Sequence, residues 1–144
     1  MTYNLYTPFL EATRNVFMLM LDLSDFSDCP DTALDNDGEL DISIGVTGDL
    51  TGEVIYRFPR DTSLNIVKIM SGMEIDAVDE FVTSAISEIA NIISGNVLTE
   101  LAKDDLNCDI LPPVLKESSD KKTSYCIKTS AGNVCIDVRL NRAE

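Results

Sequence analysis

Residues 76–103 read DAVDEFVTSAISEIANIISGNVLTELAK, which is the longest amphipathic stretch in the chain. At about 100° per residue, its apolar side chains fall on one arc of a helix. That arc comprises Val78, Val82, Ile86, Ile89, Ala90, Ile93 and Val97. The pattern predicts a long helix with one side in the core, so the other elements must supply a surface that covers it.

The opposite face of this helix carries an unusual set of residues. Ser84, Glu88, Asn91 and Gly95 recur at i, i+4, i+7 and i+11, and we call these four residues the polar stripe. A solvated helix face normally carries Lys, Glu, Arg and Gln, because Asn and Gly each weaken a helix by roughly 0.7–1 kcal/mol relative to Ala. Two interpretations follow: either Gly95 permits close packing and Asn91 is incidental, or the stripe is a functional surface.

The flanking segments predict an α+β fold in which a mainly antiparallel sheet carries the long helix and one or two further helices. We predict helices at about 5–22 and 63–71, strands at 39–47 and 53–58, and a C-terminal hairpin at 123–139. In the first helix the expected apolar side is Phe9, Val16, Phe17, Met20 and Leu21. In the first strand the expected inward residues are Leu40, Ile42, Ile44 and Val46. The second helix should begin with a capping Thr62 or Ser63 and stop at Gly72.

The segment at 23–38 is rich in Asp, which is typical of a loop. Asp35 and Asp37 resemble part of a calcium-binding loop, but the first and twelfth positions of that loop would be Ala33 and Ile44. Two carboxylate ligands are therefore missing, and we reject an EF-hand.

Composition excludes several classes of function. A chain of 144 residues fits one domain spanning 1–144, and its net charge of −14 disfavours nucleic acid or an anionic membrane as a partner. The first residues contain no basic region before an apolar run, so we expect no signal peptide and a cytoplasmic protein. The absence of histidine removes Ser/His and Cys/His nucleophile pairs and His-based metal sites.

The four cysteines show no C-x-x-C spacing, and we expect all four to be reduced. They are Cys29, Cys108, Cys126 and Cys135. A C-terminal hairpin with its turn at Ala131-Gly132 would bury Tyr125, Ile127, Val134, Ile136 and Val138. That register places Cys126 opposite Asp137 and Cys135 opposite Lys128, so the two thiols would be only diagonal neighbours.

Ser84, Glu88 and Asn91, followed by Ser94-Gly95-Asn96 and then Thr99, closely resemble the active-site helix of the CheC/CheX/FliY phosphatases, which dephosphorylate the response regulator CheY. The family pattern is Asp or Ser, three residues, Glu, two residues, Asn, and a Pro more than twenty positions later; Pro112 and Pro113 fall near that place. In the first helix, Asn15 follows Glu11 by four residues rather than three, so a second site is absent and the single-site CheX type fits better.

The resemblance implies that Glu88 and Asn91 are the catalytic pair, while Ser84 and Gly95 contact the partner. A phosphorylated CheY-like receiver domain would supply its own Mg²⁺, so no metal or other cofactor of this chain is expected. Asn91 is expected to orient the attacking water and Glu88 to pair with a receiver Lys. The resemblance further implies a homodimer joined through sheet edges.

Two other classes of function stay open at this level. The chain could be a binding module that docks a receiver domain or a flagellar-switch component without catalysis, or an oligomerisation unit of a signalling complex. The intact Glu88/Asn91 pair favours the enzyme, because an adaptor has no need of a water-orienting carboxamide.

Overall fold

The computed structural model describes residues 6–29, 40–116 and 125–142. Its central hairpin joins β2 (Leu40–Gly48) to β3 (Leu50–Phe58). As the alternation in the sequence predicts, Leu40, Ile42, Ile44 and Val46 are all buried. β3 begins at Leu50, earlier than the predicted 53, because pairing with its neighbouring strand extends to that residue.

Three helices and seven strands are present in the described ranges. The helices are α1 (Tyr6–Leu21), α2 (Arg60–Ser71) and α3 (Glu80–Lys103). The remaining strands are β1 (Ser27–Cys29), β4 (Cys108–Ile110), β5 (Val114–Lys116), β6 (Tyr125–Thr129) and β7 (Gly132–Arg142). The strand order is β1-β6-β7-β3-β2-β4, with β5 also on β2, and every pairing is antiparallel. The predicted α+β fold is confirmed, except that part of the predicted loop at 23–38 forms β1.

The core lies between the helices and one face of the sheet, where α3 packs against α1, α2 and β2. α3 is also long and apolar enough to span a membrane by length and composition, with a mean hydropathy of 1.3 in its most apolar window. Its apolar side is occupied by the core of the fold, which accounts for that composition.

The apolar side of α1 was predicted correctly for four of its five residues. Phe9, Val16, Phe17 and Leu21 are buried, whereas Met20 is 39% exposed, so its prediction as a core residue is wrong. Met20 lies near the centre of the apolar arc but in the last turn of α1. Leu21, one residue further along the same turn, is buried, so this turn faces the core with Leu21 rather than with Met20.

The start of α2 differs from its prediction. The helix begins at Arg60 after Pro59, and the first helical bond runs from the Ser63 N–H to the Pro59 carbonyl. Thr62 does not cap the helix, because its hydroxyl donates to the carbonyl of Asn133 on β7. The predicted stop is confirmed, since Gly72 adopts a left-handed conformation with φ 71°.

The C-terminal hairpin has a different register from the predicted one. Thr129 pairs with Gly132, so the turn consists of residues 130–131. The Thr129 hydroxyl stabilises this turn by donating to the Gly132 carbonyl and accepting from the Ala131 N–H. The register moves by two residues, so each side chain keeps its face of the sheet. Ile127, Val134 and Ile136 are buried as predicted, Val138 is only half-buried, and the side chain of Tyr125 lies outside the described residues.

This register places Cys126 directly opposite Cys135, and the two residues form a disulfide. The expectation that all four cysteines are reduced is therefore wrong for this pair, because a two-residue change in register brings diagonal neighbours face to face. Cys108 is free, and the side chain of Cys29 lies outside the described residues.

Candidate active-site face of the long helix

A local signal in the sequence sets the start of α3. The Asp79 side chain accepts a hydrogen bond from the Val82 N–H at 3.1 Å, which makes Asp79 the N-cap, and Glu80 follows in the first turn. Residues 76–78 of the predicted segment therefore precede the helix. The helix ends at Lys103, as predicted.

The buried side of α3 determines which face meets solvent. Its buried residues are Val82, Ile86, Ile89, Ala90, Ile93, Ser94, Val97 and Leu101. The polar stripe lies on the opposite side, where Ser84 and Glu88 are exposed and Asn91 and Gly95 are partly exposed. The structure thus brings all four predicted site residues to one accessible face, while their roles stay a prediction.

The polar side chains of this stripe take no part in holding the fold together. Ser84, Glu88 and Asn91 make no side-chain hydrogen bond or ion pair with any residue in the described ranges. One turn separates successive members, so Glu88 and Asn91 can reach the same external group from about 5–6 Å apart at their Cβ atoms. Both groups are available to a partner.

Gly95 allows the two interpretations of the stripe to be separated. A Cβ atom built on Gly95 would meet no atom of the described residues within 4 Å, so their packing does not require glycine there. Glycine weakens a helix interior by roughly 1 kcal/mol relative to Ala, and no packing contact among the residues that the structure describes offsets this loss. The packing interpretation of Gly95 is therefore wrong, and an external contact explains the residue better.

A buried hydrogen bond beneath the stripe was not predicted from the sequence. The hydroxyls of Tyr56 on β3 and Ser94 on α3 lie 2.8 Å apart, and both residues are buried. Burial raises the pKa of the Tyr56 hydroxyl, so it stays protonated and able to donate. Ser94 is the polar residue among the buried positions of α3, and this interruption of the apolar arc was a readable signal.

The stripe lines neither of two surface cavities found among the described residues. Two surface cavities, of about 360 and 320 Å³, are lined by residues of α1, β1, β6 and the segments next to them, and not by the stripe. Within the described ranges, no three His, Cys, Asp or Glu side chains are grouped as metal ligands. A solvent-accessible helix face of this kind suits contact with a macromolecular partner better than capture of a small molecule.

Known proteins resemble this chain both in sequence and in fold. "CheY-P phosphatase CheX" of Thermotoga maritima is 38% identical over 80 residues, which cover 55% of this chain and 52% of that protein. The chain thus spans about half the length of the curated relative it matches.

Two solved structures share the fold over nearly the whole chain. The chemotaxis protein CheX from Vibrio vulnificus has a TM-score of 0.83 at 23% identity, covering 96% of this chain and 97% of that one. The CheX-CheY-BeF3-Mg+2 complex from Borrelia burgdorferi has a TM-score of 0.76 at 21% identity, covering 98% and 100%. The family model described as "Chemotaxis phosphatase CheX" matches residues 42–138, which include α3 and its stripe, and the chain therefore belongs to the CheX family.

Proposed function

We propose that the chain hydrolyses the aspartyl phosphate of a CheY-like receiver domain by inserting the polar stripe of α3 into the receiver's active site. The observation that carries this proposal is the solvent-accessible Glu88/Asn91 pair, whose side chains make no hydrogen bond or ion pair within the described residues. Family membership supports it, as do the printed name of the Thermotoga maritima relative and the presence of CheY in the Borrelia burgdorferi complex.

Asn91 is the residue that acts on the reaction. Phosphoryl transfer depends mainly on the position of the nucleophile and on stabilisation of charge, so little covalent work is left to a catalyst. A carboxamide can accept a hydrogen bond from a water molecule and donate one to it while staying uncharged. The Asn91 side chain therefore orients the attacking water in line with the leaving carboxylate oxygen of the receiver.

Glu88 acts through docking. A carboxylate next to a phosphoryl group is repelled unless a cation lies between them, so a role as general base is disfavoured. One turn from Asn91, Glu88 pairs with a receiver lysine and aligns the carboxamide. The ion pair is partly exposed, and its contribution therefore falls as salt is added.

The other two members of the stripe allow close approach. Gly95 carries no side chain, which lets the receiver backbone lie near α3, and Ser84 contacts the edge of the partner. The Mg²⁺ that neutralises the phosphoryl group belongs to the receiver, so this chain needs no cofactor of its own. A CheY-like partner also implies action in the cytoplasm.

A second copy of the chain is the other proposed partner. β5 lies beyond β2 at one side of the sheet, and its Val114 and Leu115 are 62% and 57% exposed. Unpaired backbone groups and apolar side chains at a sheet edge favour association with another chain. Pairing there about a two-fold axis leaves both α3 faces free for two receivers.

The experiment that tests the activity follows the loss of phosphate from a CheY-like receiver domain phosphorylated with acetyl phosphate. With the protein present, the receiver should lose phosphate faster than it does alone, and in proportion to the amount of protein added. If the receiver binds but its rate of dephosphorylation does not change, the chain is a receiver-binding adaptor and the proposed activity is wrong.

A further inference from the structure

An exposed aromatic ring extends the line of the polar stripe toward the start of α3. Phe81 lies three residues before Ser84, seven before Glu88 and ten before Asn91, which are the spacings of one helix face. Its side chain is 52% exposed. Among the described residues, Phe81 is the one aromatic of the large exposed hydrophobic side chains, the others being Met, Leu, Ile and Val.

Nothing in the local structure requires an aromatic residue at this position. The helix start is already provided by the Asp79 cap and by Glu80 in the first turn. The core beneath this turn is filled by Val82, which is fully buried. Phe is a weaker helix former than Glu, Lys or Ala, and half of its surface stays in water. Like Gly95 at the other end of the stripe, Phe81 is unfavourable for the isolated chain.

We infer that Phe81 is an anchor for the receiver domain, outside the reacting centre; this inference rests on the proposed function. Aromatic side chains are enriched among the few residues that carry most of the energy of a protein interface. Phe81 is continuous with the face proposed to enter the receiver, so the same partner covers it. Ten residues of helix place it about 15 Å along the axis from Asn91, too far to touch the phosphoryl group.

The surroundings of Phe81 indicate the chemistry of the matching surface. Asp76, Asp79 and Glu80 precede Phe81 closely in the chain and are all exposed, so the segment leading into the ring is acidic. The complementary receiver surface is an apolar depression bordered by Lys or Arg. All receivers share the chemistry of the phosphorylation site, so that site cannot distinguish one receiver from another. Phe81 makes its contact away from that site and thus distinguishes among receivers.

The test compares Phe81→Ala, Phe81→Tyr and a matched truncation, Leu19→Ala, on α1. Leu19 is 85% exposed and lies on a different helix, so its variant measures the effect of removing an exposed apolar side chain as such. Binding is measured by titration with a CheY-like receiver domain activated with beryllofluoride, and kcat and KM are measured with the same domain phosphorylated with acetyl phosphate.

Phe81→Ala should raise Kd and KM about tenfold and leave kcat unchanged, whereas Phe81→Tyr and Leu19→Ala should match the wild type. A Kd for Phe81→Ala within twofold of the wild-type value would overturn the anchor, as would a fall in kcat with KM unchanged. If the wild-type chain binds the receiver without dephosphorylating it, and Phe81→Ala still weakens binding tenfold, the proposed activity fails while the anchor stands.

Discussion

At the scale of single residues, the functional face is recognisable because its residues are poor choices for the fold that carries them. Gly95 lies in the interior of α3 with open space where its side chain would be. Asn91 weakens the helix and makes no side-chain hydrogen bond with a described residue. Such residues lower the stability of the isolated chain, and no contact among the described residues offsets the loss. They therefore indicate an interaction with a partner.

Gly95→Ala should therefore have opposite effects on stability and on function. The added methyl group meets no atom of the described part of the chain and removes the conformational freedom of glycine, so the free energy of unfolding should rise by about 1 kcal/mol. The same methyl group should weaken binding of the activated receiver by about fivefold or more, because it enters the space that the partner occupies.

The control for this prediction is Asn96→Ala, which also improves helix propensity but lies about 100° away from Gly95 around the helix. It should stabilise the chain without changing receiver affinity. Thermal unfolding and a binding titration measure both quantities. If Gly95→Ala is more stable and binds as well as the wild type, Gly95 does not face the partner.

At the scale of elements, a buried polar contact lies among the apolar contacts that α3 makes with the described core. The Tyr56–Ser94 hydrogen bond joins the middle of β3 to the helix turn that follows Asn91. Apolar side chains can pack with small changes in rotation, whereas a buried hydrogen bond is satisfied only in a narrow range of geometry. We therefore expect this bond to fix the rotation of the stripe relative to the sheet.

A double-mutant cycle on this pair tests its contribution. Ser94→Ala leaves the buried Tyr56 hydroxyl without its partner and should lower the free energy of unfolding by about 1–3 kcal/mol. Tyr56→Phe should cost less, because the Ser94 hydroxyl can then bond to the carbonyl four residues earlier in its own helix. The double variant should be more stable than the sum of the two single effects implies. Additive costs in chemical denaturation would contradict a direct interaction.

At the scale of the whole molecule, the acidic charge and the open sheet edge act against each other. Each chain carries a net charge of −14, so two chains repel one another at low ionic strength. The exposed apolar side chains of β5 favour association, and added salt screens the repulsion over a Debye length of about 8–10 Å near physiological ionic strength. A dimer through this edge should therefore tighten as salt is added.

Light scattering at micromolar concentration tests the proposed dimer. The wild type should have about twice the 15.8 kDa of one chain, and Leu115→Lys should have the mass of one chain because it places a charge on the apolar edge. Phosphatase activity per α3 should be the same in both forms. A wild-type mass of 15.8 kDa at physiological salt would reject the dimer.

Most of the fold is predictable from the sequence wherever the regular spacing of apolar residues identifies a buried face. The alternation of Leu40, Ile42 and Ile44 predicts β2, and the apolar arc at 78–97 predicts α3. Each prediction is possible because an element buried on one side carries apolar residues at one regular spacing. Register is different: moving the C-terminal hairpin by two residues keeps every side chain on the same face, so the pairing of Cys126 with Cys135 is not predictable from periodicity.

For the site, the polar stripe could be predicted from spacing and resemblance, since all four residues share one face. Two further residues had readable signals that periodicity alone did not interpret. Ser94 interrupts the apolar arc, and Phe81 continues the stripe at its amino-terminal end. The contact between Ser94 and Tyr56 joins residues 38 positions apart, and only the packing of α3 on β3 reveals it.

The most direct test of the account is the rate at which Asn91→Ala dephosphorylates a CheY-like receiver, compared with Glu88→Ala in the same assay. Asn91 lies on the face away from the core, so its variant should fold and bind the receiver normally, while kcat should fall about 10²–10³-fold. Glu88→Ala should instead raise KM, and the salt dependence of binding should become weaker. Wild-type turnover by Asn91→Ala would contradict the central claim.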